Sequence, residues 1–491
     1  MAFTYVDLFA GIGGFHAALR ALGGDCLMVS EIDEPAVAVY ERNWLTGSES
    51  RSHEPTAVAG DINELAPEAG EVRVPDHDVL VAGFPCQPFS KSGAQEGVRD
   101  KTRGTLFFNI LRILEERRPP VVLLENVRNL AGPRHRDTWE TIVRSLREAG
   151  YRVSSTPTVF SPHLLPPDMG GTPQVRERVF IAAVYVGRER ALRETDVGPV
   201  VERAPVGGWD PDRWTLDDTK LQVANGAPLL QDEDEVVDRS AHALSDREIR
   251  WIDAWDDFVQ RMWEAREGKR LPGFPLWRDH WVPEHELVIP PSTPKWKADF
   301  LRKNAAFYTS HQRVIDRWLA DWDGLADFPP SRRKFEWQAQ QTPRLWECVM
   351  HLRPSGIRAK RPTYLPALVA ITQTSVIGPR GRRLTPREAA RLQGLPDWFD
   401  FGDQSDAETF RQLGNAVPVG VVYHIMRELV RQSIDHVPAR ISDEVLGAPS
   451  APEVDAARTD AGNGLASEDE GPFRLTDASS RSRVSHLQPV A

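Results

Sequence analysis

The sequence predicts an α/β fold, a doubly wound and mostly parallel sheet, with a second, smaller domain set between its parts. Three observations point there. Short apolar runs alternate with helix-like stretches through residues 3–188, the rhythm of strands joined by crossover helices. The runs are continuous in Val, Ile and Leu and do not alternate with polar residues, which suits strands covered on both faces. After about Gly187 that rhythm stops, and residues 188–350 hold 12 of the 15 tryptophans.

The strands are predicted in order from "TYVDLFAG", "CLMVSEID", "DVLVAGFP", "VVLLENV" and "RVFIAAVYV". Between them, "GTLFFNILRILEERR" and "TWETIVRSLREAG" carry apolar residues at helical spacing. Beyond Gly187 come an acidic run, "QDEDEVVD", and loop-like stretches such as "VIPPSTPKW". The segment starting "STPKWKADFLRKN" predicts one or two helices, with a Ser/Thr start and Pro in the first turn. In "TPREAARLQG", Thr385 is the expected N-cap and Pro386 the first helical residue. The tail from about Ser442 is rich in Ala, Ser, Asp, Glu, Gly and Pro, and is expected to be disordered.

Bulk composition narrows the class. The chain has 491 residues, 41% hydrophobic and 27% charged, as in a globular protein with ample core. No window holds the 18 or so uninterrupted apolar residues of a membrane span, and no secretory leader is read at the N-terminus. The three cysteines, Cys26, Cys86 and Cys348, form no C-x-x-C pair, so neither a disulfide framework nor a metal site is expected, and a reducing cytoplasm is. The net charge of −11 argues against nucleic acid as a partner. Local patches decide such binding, however. From Gln432 onward there are 5 basic and 10 acidic residues, so much of the excess lies in the tail.

"DLFAGIGGF" follows the first strand directly. Gly11, Gly13 and Gly14 allow a tight turn and a close ligand approach, with a helix N-terminus aimed at the same place. Glu31, at the end of the second strand, is spaced to accept from ribose hydroxyls, and Asp61 from an adenine amino group. His16 occupies the third-glycine position of a dinucleotide fingerprint, which favours a single nucleoside. A purely structural glycine turn stays open on these residues alone, and Phe9 reads equally as core or as a face for adenine.

"GFPCQPFS" places Cys86 between two prolines at the carboxyl end of a strand, where ligands of open α/β sheets bind. The prolines restrict the backbone and hold the thiol in one orientation, as suits a nucleophile. Cys26 and Cys348 read as buried apolar residues. "LLENV" puts Glu125 and Asn126 on the same sheet edge, a carboxylate placed for acid–base work. "QVRER" adds Gln174, Arg176 and Arg178; the two guanidiniums are suited to hold the glutamate or to bind a phosphate.

Taken together and in order, "DLFAGIGGF", "EID", "GDI", "GFPCQPFS", "DKTRGTLFFNILRIL", "ENV", "QVRER", "RLTPREAARLQGLP" and "QLGNAVPV" resemble the motifs of the cytosine-5 DNA methyltransferases of bacterial restriction–modification type. The resemblance covers 3–185 and about 380–430. It implies a class I, Rossmann-like methyltransferase domain over 1–187, a target-recognition domain over 188–375, a return to the first domain over 376–432, and a disordered tail over 433–491. It implies S-adenosyl-L-methionine as cofactor, held by Phe9, Gly11, Gly13, Glu31, Ile32, Asp61, Ile62, Leu106, Asn415 and Val417. Cys86, Glu125, Arg176 and Arg178 become the catalytic set, acting on a flipped-out cytosine of double-stranded DNA. Gln87, Ser90 and Ser92 resemble a loop that closes on DNA. Arg332, Arg333, Lys334, Gln338 and Arg358 are candidate DNA contacts by residue type. A monomer in the cytoplasm, associated with the nucleoid and serving a restriction or defence system, is the expected setting. A tRNA methyltransferase on the same scaffold is the alternative. A nicotinamide-dependent oxidoreductase is disfavoured by His16, and a DNA-binding module without catalysis by the presence of Cys86, Glu125 and Arg178.

Overall fold

The computed structural model describes residues 2–45, 56–85, 106–216, 220–221, 226–368 and 374–454. The first part of the chain supplies β1 (Thr4–Leu8), α1 (Gly14–Ala21), β2 (Asp25–Ser30), α2 (Glu34–Tyr40), β3 (Ala57–Ala59), α3 (Ile62–Leu65), β4 (Val79–Gly83), α4 (Leu106–Arg117), β5 (Val121–Val127), α5 (Arg136–Glu148), β6 (Tyr151–Val153), β7 (Thr158–Phe160), β8 (Gln174–Val175), β9 (Arg178–Tyr185) and α6 (Arg188–Arg193). Eight strands form one sheet in the order β3-β2-β1-β4-β5-β9-β6, with β7 also on β9. The pairs from β3 to β5 are parallel, and β9 runs antiparallel to its neighbours.

The continuous apolar runs have a direct explanation in the packing. In β5, Val121 and Leu123 enter one core, and Val122 and Leu124 enter the other. Both faces are covered, so neither alternate set of residues is polar. One cover is amphipathic α5, which buries Trp139, Ile142, Val143 and Leu146 at helical spacing.

The chain continues through β10 (Lys220–Leu221), β11 (Ala227–Pro228), α7 (Arg239–His242), α8 (Asp246–Ala265), β12 (Leu276–Trp277), α9 (Lys295–Asp321), β13 (Lys334–Gln338), β14 (Val349–Arg353), β15 (Gly356–Lys360), β16 (Leu365–Pro366), β17 (Val376–Ile377) and β18 (Arg382–Arg383). A second sheet of six strands, β12-β13-β15-β14-β17-β18, packs one face against α8 and α9. Its core is tryptophan-rich: Trp255 stacks on Phe335 with ring centroids 4.7 Å apart, and Trp318 is fully buried. The helix α9 is kinked at His311, and Pro294 rather than Ser or Thr is its N-cap.

The last part adds α10 (Pro386–Leu392), α11 (Asp406–Asn415), α12 (Val419–Gln432) and α13 (Ala439–Gly447). Thr385 caps α10 with a reciprocal bond from Glu388, as the sequence predicts. The helix α12 packs on α1, bringing the C-terminal segment back to the first sheet.

The expected boundaries shift in three places. Leu216, Leu221, Leu229 and Leu230 join the core of the first domain, so the chain leaves that domain later than residue 188. Strands β17 and β18 extend the second sheet past 375. Residues 433–454, expected to be disordered, instead pack on the first domain: Ile441 and Val445 are fully buried, and Arg440 pairs with Asp78. The apolar positions of α13 are few but fall on one face, a signal too short to stand out in a polar tail.

Candidate active site

The carboxyl edge of the parallel strands opens into a cavity of about 340 Å³. Its wall takes Phe9 and Gly11 from the turn after β1, Glu31 and Asp33 from the end of β2, and Gly83, Phe84 and Pro85 from the end of β4. Glu125 and Asn126 come from β5, Arg178 from β9, and Arg411, Asn415 and Val417 from around α11.

The glycine turn is shaped by what surrounds it. Phe9 and Gly11 both adopt left-handed φ, 56° and 54°, a costly conformation for Phe and one concentrated at functional sites. Gly13 is needed for a different reason: a Cβ there would lie 2.1 Å from the Trp44 indole nitrogen. At Gly14 it would lie 2.6 Å from the Val417 carbonyl oxygen. Two of the three glycines thus admit neighbouring protein, and Gly14 lets the C-terminal segment reach the turn. Glu31 is anchored by its backbone surroundings. It accepts from Gly11 N (2.8 Å), Ile32 N (2.8 Å) and Asp33 N (2.9 Å), which leaves part of its acceptor capacity for a ligand.

Glu125 is 7% exposed and sits opposite Gly83 in the β4–β5 register. Arg178 Nε lies 2.9 Å from its Oε1. Burial raises the Glu125 pKa above the ordinary glutamate value, against the opposing pull of Arg178 and then Arg176. Burial likewise lowers Arg178, with Glu125 opposing. Both shifts favour the neutral form, so desolvation outweighs the pairing. Asn126 donates from Nδ2 to the Phe84 carbonyl at 2.8 Å and accepts from Val127 N. That amide ties the turn leading to Cys86 onto the strand that carries Glu125. Cys86, Gln87, Ser90 and Ser92 lie outside the described residues.

Several expected site residues stand elsewhere. Arg176 is 1% exposed and does not line the cavity. Its guanidinium donates to the carbonyls of Leu368 (2.8 Å), Gly414 (2.7 Å) and Ala416 (2.7 Å). These bonds tie it to the C-terminal segment, while its charge also acts on Glu125. Asp61 caps α3 by accepting from Asn63, and the Ile62 side chain is in the core below. Ile32 is 72% exposed beside Glu31, and Leu106 begins α4. Residues not singled out from sequence also line the cavity, notably Asp33 and Arg411, which bridge α2 and α11 at 2.7 Å. Arg411 directly precedes "QLGNAVP", but a pairing across 378 residues leaves no local mark.

Among the expected DNA contacts, Arg332 donates to the carbonyls of Arg353 and Leu352, and Arg333 to those of Phe328 and Ala326. In the structure these donors hold their own domain together. Lys334, Gln338 and Arg358 share the polar face of the second sheet, where Glu336 accepts from both Gln338 and Arg358.

Comparison with known proteins agrees with this geometry. A family model, C-5 cytosine-specific DNA methylase, matches residues 3–431. The chain is 48% identical over 493 aligned residues to Type II methyltransferase M.AluI of Cellulosimicrobium cellulans, covering 88% of this chain and 92% of the relative. It is 30% identical over 465 residues to Type II methyltransferase M.BanI of Aneurinibacillus aneurinilyticus, covering 89% and 98%. Against Type II methyltransferase M.HhaI of Haemophilus parahaemolyticus it is 41% identical over 177 residues, covering 36% and 47%. The ordered motifs, the sheet that carries them and these matches agree, and the chain belongs to the C-5 cytosine-specific DNA methylases.

Proposed function

We propose that the cavity binds S-adenosyl-L-methionine beside a flipped-out cytosine, and that Cys86 and Glu125 carry out the DNA cytosine-5 methylation of this family. The observation that carries the reading is a buried glutamate, held by Arg178, in one cavity with the glycine turn and with the residues leading to Cys86. The cavity residues fit the cofactor. Phe9 and Gly11 offer a face and a close backbone approach, and Glu31 keeps acceptor capacity for ribose hydroxyls. Asn415 and Val417 line the cavity opposite the turn, and the exposed Ile32, next to Glu31, offers an apolar surface for adenine; Asp61, Ile62 and Leu106 are assigned to the cofactor by the family resemblance alone. When bound, S-adenosyl-L-methionine supplies an electrophilic methyl group.

The chain's own residues do the rest. The Cys86 thiolate forms a bond to carbon 6 of cytosine, and the electron pair of the 5,6 double bond moves toward carbon 5. Glu125 donates a proton to ring nitrogen 3 as charge develops there; burial raises its pKa, which favours the protonated form that this step needs. Arg178 holds the carboxyl in place. After methylation a base takes the carbon-5 proton, the 5,6 double bond re-forms as the Cys86 thiolate leaves, and ring nitrogen 3 returns its proton to Glu125.

The test uses duplex DNA and S-adenosyl-L-methionine with a labelled methyl group. Label is expected on carbon 5 of cytosine, and none with Cys86→Ser. A duplex with fluorine at carbon 5 of the target cytosine has no proton to lose, so a covalent protein–DNA adduct is expected to accumulate. Label on another atom, or an adduct persisting in Cys86→Ser, overturns the mechanism. As in relatives named Type II methyltransferases, we place the chain in a restriction–modification pair, as a cytoplasmic monomer on the nucleoid. Cleavage of unmethylated but not methylated target DNA by a nuclease from the same cells tests that setting. Among the described residues, no helix is long and apolar enough to cross a membrane.

A further inference from the structure

We propose that Arg128, Glu177 and Arg203 form a phosphate clamp at the mouth of the catalytic cavity, holding the backbone of the DNA strand whose base enters it. The inference rests on the reading of the cavity as a cytosine site. Glu177 is the hub: one carboxylate oxygen takes Arg128 Nη1 at 2.5 Å, and the other takes Arg203. The three come from distant parts of the chain. Arg128 follows β5, Glu177 precedes β9, and Arg203 lies beyond α6. Val127 and Arg178, their immediate neighbours and partners in the β5–β9 register, line the cavity itself. The clamp therefore stands one residue step outward from the cavity wall, ~3.3 Å along a strand, within one nucleotide of an inserted base.

The charges suit an anion. One carboxylate gathers two guanidiniums, so the group is net positive. Both arginine side chains remain 53% exposed while the glutamate is 19% exposed. The acid is turned inward and the cations outward, and each guanidinium keeps donors in the planar array that matches phosphate. Half-exposed ion pairs contribute little to stability, so folding alone does not account for gathering two arginines here. In a chain of net charge −11, binding of a polyanion has to come from such local sites.

The test is binding of the full-length protein to two duplexes of equal length, one bearing a site that the wild type methylates and one without it, across a salt series. Arg128→Ala and Arg203→Ala are each expected to weaken binding of the duplex bearing the site several-fold, and of the other duplex by no more than that. Each is also expected to reduce the slope of log K against log salt by about 1. Arg144→Ala, which removes an exposed arginine near the C-terminal end of α5, toward the opposite sheet edge, is expected to leave the slope unchanged. Unchanged slopes for the clamp variants, or an equal loss with Arg144→Ala, overturn the proposal. A wild type that transfers no methyl group to any duplex refutes the underlying reading instead, whatever the variants do.

Discussion

Glu125 and Arg178 face each other at 2.9 Å, and burial pushes each toward its neutral form. An acid catalyst in that state loses activity as pH rises through its pKa. Arg178 is the largest influence holding that pKa down. In Arg178→Met the Glu125 pKa climbs further, so the alkaline limb of the kcat/KM profile moves to higher pH while the maximum falls. A limb that stays put or moves down contradicts the assignment. Arg176 predicts a different phenotype from the same motif. Its guanidinium satisfies three carbonyls, two of them in the segment that closes the cavity. Arg176→Met leaves those acceptors unpaired, each at a cost of about 1–3 kcal/mol. Urea unfolding is expected to show a loss of about 3 kcal/mol or more, with weaker cofactor binding by calorimetry. Arg176→Lys keeps the charge but not the fork, and falls between the two. The sequence placed both arginines near Glu125 by alternation along a strand. It did not reveal that the strand breaks between them, because the partners that divide their roles lie about 240 residues away.

At the scale of elements, legibility tracked how local the cause was. The five main strands and α10 were readable because periodicity and capping are written within a few residues. Thr385 and Pro386 start α10 where they were expected to. The second sheet was not readable: three of its strands, β12, β17 and β18, have two residues each, too short for any period. What joins that sheet to α10 is Glu388, fully buried, which accepts from Arg382, Thr385 N and Gln231 N. The two halves of this capping box therefore carry different weights. Thr385→Ala removes one cap and is expected to cost about 1 kcal/mol. Glu388→Ala leaves a guanidinium that is only 5% exposed with Glu233 as a remaining carboxylate and strands the N–H groups of Thr385 and Gln231, and is expected to cost about 3 kcal/mol. Equal unfolding midpoints for the two variants contradict this division.

At the scale of the molecule, the first sheet is completed only by the end of the described chain. Val417 fills the space that Gly14 leaves open, α12 lies on α1, and α13 covers the same core. Composition alone assigned residues 433–454 to a disordered tail, because an acidic, Ala- and Ser-rich segment resembles one on average. The average conceals Ile441 and Val445, both fully buried, with Val437 and Val454 nearly so. Full burial of each such side chain contributes about 1.5–3 kcal/mol, reduced by the entropy of ordering the helix. The Arg440–Asp78 pair adds little, being half exposed on the arginine side. Comparing a chain that ends at Val454 with one that ends at Gln432 isolates this element. The shorter chain is expected to lose about 2–4 kcal/mol in urea unfolding, and to bind cofactor less tightly, since α12 and the segment before it lose their support. Coincident unfolding curves for the two chains imply that α13 contributes nothing to the domain it covers.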